Sequence, residues 1–525
     1  MDNKKRRKAL PPVLLFLMAY VALLMILTVA ERGQPGSKIQ TFADAVWFSL
    51  VTISSVGYGD MTPVTPLGHA IGVIFLIMSM GVLVALFGYV VSAISSEGLP
   101  LFRLGLRRRK NWYYFAEFTA EADVLARDVL REDPDGVIIF GINRDNEIEV
   151  PDYQCLFINV SPARIVAHKK GKGQRCKLFF LDEDDIRRNL KAANVQELDA
   201  DVFAHTASGP EKMGGNLNIF HSYDCCARSY WRDYPLYPSE DIVVIIGFGR
   251  YGTALLERAI LMNIYDADFE VSYHVFGDSE HFRKIHVNLG AAMGINEVHP
   301  GHDSIFFHDE DWTSAHDLIS KADRIIICED REQAGWDDYW KLQRYYEHKG
   351  IVHLRSNLKA QGVSIFGTNE QIYTVNQIIR TRLNDAARLV NDMYRRSVEN
   401  SLDWDELDEQ LRQSKIATAD HLITKIRVLL GNRAISDLDR RTFMAANESL
   451  EEAMKDPAWR DSLRRIEHAR WVRFYAYCNW KYGKVKDSKK HENPMICEYE
   501  ELTEEQKAYH DRAWELIGEI ARQLS

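Results

Sequence analysis

The chain holds 525 residues, of which 27% are charged and 46% apolar, with a formal net charge of −10. That length is too great for a single core and predicts about three to four domains, while the mild acidity excludes a general nucleic-acid binder. The seven cysteines (155, 176, 225, 226, 328, 478 and 497) show no Cys-x-x-Cys or metal-type spacing and are read as reduced packing thiols.

The average hides a partition, because Leu10–Ala30 and Met61–Ser96 carry no Lys, Arg, Asp or Glu. As a helix the first run reaches about 31 Å, the thickness of a bilayer core. The basic prefix Lys4-Lys5-Arg6-Arg7-Lys8 fits a signal peptide, but the run is too long, no Ala-x-Ala site follows, and a second apolar run, His69–Ile94, exists. Both runs are therefore expected to anchor the chain in a lipid bilayer as a multi-pass protein. Basic clusters, Lys4–Lys8 and Arg103/Arg107–Lys110, flank the outer ends of this pair. The positive-inside rule then places both termini in the cytoplasm, beneath a plasma (inner) membrane.

Thr41–Ser54 is apolar and aromatic, too short to cross, and runs into Ser55-Val56-Gly57-Tyr58-Gly59-Asp60. A re-entrant half-helix is expected, its backbone shielded by protein or a water-filled pore. Alternating glycines allow backbone conformations closed to other residues, so consecutive carbonyls can face one axis. Four such strands, from a homotetramer, would make rings of oxygens that replace the hydration shell of K⁺, the transported ion. Ser55 would add its hydroxyl at the innermost ring, while Val56 and Tyr58 point away and pack.

These residues carry a resemblance. Segment 10–98 resembles the pore module of two-helix potassium channels, whose filter usually reads Thr-Val-Gly-Tyr-Gly-Asp; Ser55 replaces the threonine. The resemblance implies that Trp47 and Phe48 brace the filter with Tyr58. It also implies a gating hinge at Gly81, with Gly88 as second candidate, although close helix packing is the competing role for either glycine. No span carries periodic arginines, so intrinsic voltage sensing is not expected.

Beyond the linker 99–111 the pattern turns to strand–helix alternation. Trp112–Phe118 reads as a strand, Glu121–Leu130 as a helix and Gly136–Phe140 as the next strand of a first α/β domain, 112–237. Its first turn, Phe118-Thr119-Ala120-Glu121, lacks a glycine fingerprint. In the second domain, 238–378, the strand Ile242–Ile246 enters Gly247-Phe248-Gly249-Arg250-Tyr251-Gly252, and a helix follows to Met262. There Gly247 allows the tight turn, Gly249 close approach of a phosphate, and Gly252 helix–strand packing. Asp278, about 26 residues past Gly252, stands where it can meet a ribose hydroxyl. Bound NAD(H) or another adenine nucleotide and a purely structural glycine turn both remain open. Two such domains behind a pore resemble the RCK class (regulators of potassium conductance), which implies a ring of eight domains below the pore.

From about Gln371 the chain reads as helical and contains an echo of itself. Trp404-Asp405-Glu406-Leu407-Asp408-Glu409 parallels Tyr499-Glu500-Glu501-Leu502-Thr503-Glu504, and Asn391-Asp392-Met393-Tyr394 parallels His468-Ala469-Arg470-Trp471. With Trp480-x-Tyr482-Gly483 and Lys490-His491, segment 379–525 resembles the ryanodine-receptor-type (RyR) repeat. Trp471, Trp480 and Tyr482 offer stacking faces, and Arg470, Lys489 and Lys490 charge, for a small anionic or nucleotide ligand. The bland alternative is core aromatics and a solvated lysine loop.

The expected architecture is thus a two-helix pore, two Rossmann-like α/β domains and a helical repeat domain. The expected function is a ligand-gated potassium channel subunit without enzymatic activity. The alternative is a membrane-tethered nucleotide-binding sensor or oxidoreductase with a non-conducting pore.

Overall fold

A computed structural model describes residues 12–93, 104, 110–141, 151–158, 160–167, 175–182, 198–206, 216–266, 269–379, 382–397 and 401–524. The basic cluster Lys4–Lys8 and most of the linker lie outside the described residues. The chain divides into two compact units, Met1–Leu106 and Arg107–Ser525.

The first unit is helical: α1 (Pro12–Glu31), α2 (Phe42–Ile53) and α3 (Pro66–Ala93). α2 starts where Thr41 and Asp44 form a reciprocal capping box, satisfying backbone N–H groups that the first turn leaves open. Leu24, Leu27, Ala45, Phe48, Ile71 and Phe75 form the small core shared by the three helices. Counted over the described residues, no helix is long and apolar enough to cross a membrane. Side chains are described from Met18 onward in α1 and continuously only to Ser79 in α3. The helical backbone itself runs 20 residues in α1 and 28 in α3, which exceeds the sequence expectation for the second run at its start by three residues.

The second unit contains two wholly parallel sheets. In the first, β1 (Trp112–Phe115), β2 (Val137–Phe140), β3 (Cys155–Phe157), β4 (Cys176–Phe180), β5 (Asp201–His205) and β6 (Leu217–Phe220) lie in the order β3-β2-β1-β4-β5-β6. Helix α4 (Ala120–Glu132) follows β1, and α5 (Ser222–Asp233) follows β6. The second sheet holds β7 (Ile242–Ile246), β8 (Ser272–Phe276), β9 (Gly294–Ile295), β10 (Ser304–His308), β11 (Arg324–Ile327), β12 (Ile351–Arg355) and β13 (Ser364–Phe366). Its order is β13-β12-β11-β7-β8-β10-β9, with α6 (Arg250–Met262) after β7 and α7 (Glu332–Tyr345) after β11. Both sheets reverse strand order beside their first strand, the doubly wound arrangement that opens a crevice at the carboxyl edge. The near-continuous apolar strands, such as Ile242–Ile246, reflect helices covering both faces.

The helical remainder comprises α8 (Arg382–Ser397), α9 (Glu409–Asp420), α10 (Leu422–Leu430), α11 (Arg440–Ala453), α12 (Pro457–Tyr477), α13 (Glu504–Tyr509) and α14 (Asp511–Leu524). The echo seen in the sequence is structural. A buried aromatic opens a 3₁₀ turn in each copy (Trp404, Tyr499), a side-chain cap follows (Asp408, Thr503), and then a helix. Asn391 Nδ2 donates to the Leu402 carbonyl at 3.2 Å, and His468 Nε2 donates to the Cys497 carbonyl at 2.8 Å, each two residues before its aromatic.

This part is fastened to the second sheet through α6. Thr424 Oγ1 donates to the Met262 carbonyl at 2.7 Å and His421 Nε2 to the Ile264 carbonyl at 3.1 Å, capping the carboxyl end of α6. Along its side, Arg258 bonds Asp224 of α5 (2.6 Å) and Asp420 of α9 (2.8 Å), while Arg228 pairs with the same two carboxylates at 2.5 and 3.1 Å. Burial opposes ionisation of Asp224, but Arg228 and Arg258 outweigh it and hold the carboxyl down to about 2.

Candidate functional site

After α2 the backbone enters the left-handed region at every second residue: Ser55 at φ 59°, Gly57 at 60° and Gly59 at 68°. Gly57 and Gly59 accept this freely, whereas Ser55 is a non-glycine residue held there at a cost. The turn is tied to the half-helix, since Val56 N and Gly57 N both donate to the Val51 carbonyl at 3.2 and 3.3 Å. Trp47 Nε1 donates to Asp60 Oδ2 at 3.0 Å, and the Trp47 and Tyr58 rings stack at 6.3 Å and 6°. Phe48 turns inward instead, buried beside Phe75 and 3.5 Å from the point where a Cβ on Gly72 would stand. So the two adjacent aromatics split: Trp47 meets Tyr58 and Asp60 of the turn after α2, Phe48 the helix core. Val56 and Tyr58 are 54% and 68% exposed in the single chain, with Tyr58 covered on one side by the Trp47 ring. Helix α3 continues unbroken through Gly81 and Gly88, and a Cβ on Gly88 would meet nothing within 4 Å.

One residue here was missed in the sequence. Glu31, fully buried, accepts from Val64 N (2.9 Å), Thr65 N (2.9 Å) and Thr65 Oγ1 (2.6 Å), joining the end of α1 to the start of α3. A Cβ on Gly68 would fall onto this carboxylate and within 2.7 Å of Pro63 Cβ. The available signal was a lone acid closing an uncharged run.

In the second sheet, Gly247 (φ 91°) makes the tight turn after β7, and a Cβ on Gly252 would fall onto the Gly247 carbonyl oxygen. Gly249 does permit a close approach, but by a side chain of the protein: its Cβ would lie 2.6 Å from Asp330 Cγ and 2.7 Å from Asp330 Oδ1. That carboxylate accepts from Arg250 N (3.2 Å) and Tyr251 N (3.4 Å) at the first turn of α6. Asp278 lies after β8, where its Oδ1 accepts from Glu280 N at 3.0 Å and begins the next short helix. In the first sheet the corresponding turn is closed differently. Phe118 packs edge-on against Phe140 (4.9 Å) and Phe157 (5.8 Å), and Thr119 Oγ1 accepts from Ala122 N at 3.2 Å.

The tail candidates are not brought together. Arg470 is buried, its Nη2 on Glu467 Oε1 at 2.7 Å, with Lys425 on the other oxygen at 2.8 Å. Burial opposes ionisation of Glu467, yet Arg470 and Lys425 hold it well below the ordinary carboxylate range. Arg470 and Trp471 line a cavity of about 150 Å³ together with Tyr394, Lys415, Tyr509 and Arg512. Burial, with Arg470 and Arg512 nearby, pushes Lys415 down to about 8. Arg470 Nη1 has no hydrogen-bond partner among the described residues. Trp480 is buried instead against Tyr475 (5.3 Å) and His491 (5.2 Å, stacked), as core. Tyr482 is exposed on the two-residue strand Lys481–Tyr482, which pairs with Glu492–Asn493, and Lys489 and Lys490 lie in the exposed segment between these strands, where Asp487 Oδ1 accepts from the Lys489 and Lys490 backbones. Glycine 483 is required there, because a Cβ would stand 2.5 Å from Glu492 Cβ. The lysine loop is therefore a separate surface from the Arg470 cavity, for the simple reason that Trp480 turns into the core between them.

All seven cysteines are free, and among the described residues no group of three or more His, Cys, Asp or Glu could hold a metal ion. The ion-channel family model matches residues 13–96. A voltage-gated potassium channel of Aeropyrum pernix is 39% identical over 62 residues, 12% of this chain and 21% of that protein. The calcium-gated potassium channel TvoK of Thermoplasma volcanium is 26% identical over 157 residues, 28% of this chain and 42% of that one. The chain thus spans less than half the length of either relative. A solved GsuK chain bound to ADP covers 69% of this chain and 94% of its own at 14% identity, with a TM-score of 0.31. Residues 13–96 are similar to the ion-channel family, and these relatives are potassium channels.

Proposed function

We propose that the chain is a subunit of a ligand-gated, K⁺-selective channel that works as a homotetramer in the plasma (inner) membrane, with both termini cytoplasmic. The observation that carries this reading is the alternation of left-handed backbone at Ser55, Gly57 and Gly59, directly after a capped half-helix and between two longer helices. Such alternation turns successive carbonyls to one side, and four copies around an axis would ring K⁺ with oxygens in place of water. Val56 and Tyr58, exposed in one subunit, would be covered by its neighbours. In this reading α1 and α3 are the membrane spans, and Gly81 or Gly88 lets α3 bend between closed and open states.

The sheets 112–237 and 238–378 act as RCK-type domains. The second takes an adenine nucleotide or NAD(H) at Gly247, Gly249, Gly252 and Asp278. The tail 379–525 acts as a pair of RyR-type repeats, and its ligand seat is the cavity at Arg470 and Trp471 rather than the loop of Lys489 and Lys490. α6 supports the coupling of these inputs: its first turn is the fingerprint, and its other end and flank meet Thr424, His421 and Asp420 of the tail. A ligand moves the gate only through unequal affinity for open and closed states.

A second reading, a glycine turn without ligand, is favoured by one observation, the Asp330 carboxylate at Gly249. Flux into liposomes tests the main reading. Protein should admit K⁺ and exclude Na⁺, and Gly57→Ala, which places a Cβ at φ 60°, should stop flux while the assembly survives. Equal passage of both ions would remove the filter reading.

A further inference from the structure

The fingerprint of the second sheet is a seat already taken. α6 is a 13-residue helix whose N-cap, Gly249, contributes no side-chain cap. Its opening N–H groups carry the positive end of the helix dipole, the usual attraction for a phosphate. Into that position comes Asp330, from the loop after β11, the strand paired with β7 where the sheet order reverses. Its carboxylate accepts from Arg250 N and Tyr251 N at 3.2 and 3.4 Å, and no atom heavier than hydrogen on Gly249 could share the space.

The backbone bearing this carboxylate is fixed separately. Arg355 donates through Nη2 to the Glu329 carbonyl (2.6 Å) and the Asp330 carbonyl (2.9 Å), and its guanidinium lies 4.0 Å over the Tyr251 ring. The carboxylate itself is held by two long contacts, so side-chain rotation can vacate the seat while Arg355 keeps the loop in place. A phosphate and a carboxylate cannot occupy one position together, since their atoms would overlap and like charges at contact repel.

We propose that Asp330 is a built-in competitor for the phosphate seat: it occupies the place of a nucleotide's phosphate, and binding requires it to leave. The site is then regulated by occupancy from within, and its ligand must bring a phosphate able to displace a carboxylate. This rests on the reading of the second sheet as an adenine-nucleotide domain.

The test uses the full chain in detergent, with Asp330→Asn and Asp330→Ser, titrated with ADP and separately with adenosine. Two variants are used because the amide retains an acceptor oxygen and serine shortens the side chain. Thermal midpoints near that of the wild type show that both fold. ADP should bind each variant about ten- to hundred-fold tighter than wild type, the scale of one charge-assisted hydrogen bond, while adenosine affinity stays unchanged. ADP affinity equal in all three proteins overturns the proposal and leaves the nucleotide reading standing. Equal tightening for ADP and adenosine also overturns it, because the effect would not act on phosphate. Absence of ADP binding in all three removes the nucleotide reading and this proposal with it.

Discussion

Apart from the extra edge strand β9, the two parallel sheets share a strand order but close their first turns by different means. At β1–α4 the helix is capped locally by Thr119, and Phe118 fills the space above the strand ends against Phe140 and Phe157. At β7–α6 two glycines keep that space open, and the cap arrives from another strand as the Asp330 carboxylate. A local cap stays with its helix through any motion, whereas a cap borrowed across the crevice can depart. Topology alone therefore does not make a binding site; the residues of one four-residue turn decide whether the crevice is sealed or merely occupied.

Among single substitutions, the most damaging should be those that put a Cβ into backbone. Gly252→Ala in the second sheet and Gly141→Ala in the first would each strike a carbonyl oxygen, of Gly247 and Ala116. Each should cost about 1–3 kcal/mol or more and lower the thermal midpoint of the purified chain. Equal loss in both would show that the sheets are alike in packing and differ only in their turns. A harmless Gly252→Ala would break the structural half of the comparison.

Acid should loosen the second sheet and the tail next. Burial pushes His353 down to about 3, with Arg324 adding to the effect. Burial and His468 push His510 to the same level. Burial also holds His421 well below the ordinary value. These imidazoles are neutral when folded and take up protons near pH 6.5 when unfolded, so their contribution is complete above that pH. It should shrink as pH falls from about 6.5 toward 3, by about 1.4 kcal/mol per unit for each group. Thermal scans between pH 8 and pH 4 would check this, and a midpoint unchanged over that range would contradict it.

The smallest effect separates the two caps. Thr119→Ala should cost about 1 kcal/mol, the usual loss of a side-chain N-cap, and leave nucleotide affinity alone. Asp330→Asn should cost less stability, because its contacts with Arg250 N and Tyr251 N are long, and should change affinity instead. Reversal of this pattern would mean that Asp330 is a structural cap like Thr119.

How much of this was legible follows from the physics of each element. Strand Ile242–Ile246 and the helix ending at Met262 read plainly, because apolar runs bounded by glycine turns are local signals. β10 and β13 went unremarked: Ser304–His308 mixes polar and aromatic residues, and Ser364–Phe366 is only three residues long. The repeat in the tail was readable from Trp404 and Tyr499 because a 3₁₀ turn followed by a cap has a sequence signature. The cavity at Arg470 was not, since Lys415 and Arg512 line it from helices distant in sequence. Glu31 and Asp330 were missed for the same reason: each bonds backbone more than thirty residues away, a pairing that spacing does not encode.

The central claim concerns the first unit, where alternating backbone at Ser55, Gly57 and Gly59 is read as a K⁺ filter. The most direct measurement is the reversal potential of purified protein in planar bilayers with K⁺ on one side and Na⁺ on the other. The account predicts a large potential of the sign that K⁺ alone would set, abolished along with the current in Gly57→Ala. A steady current reversing near zero under the same gradient would contradict it.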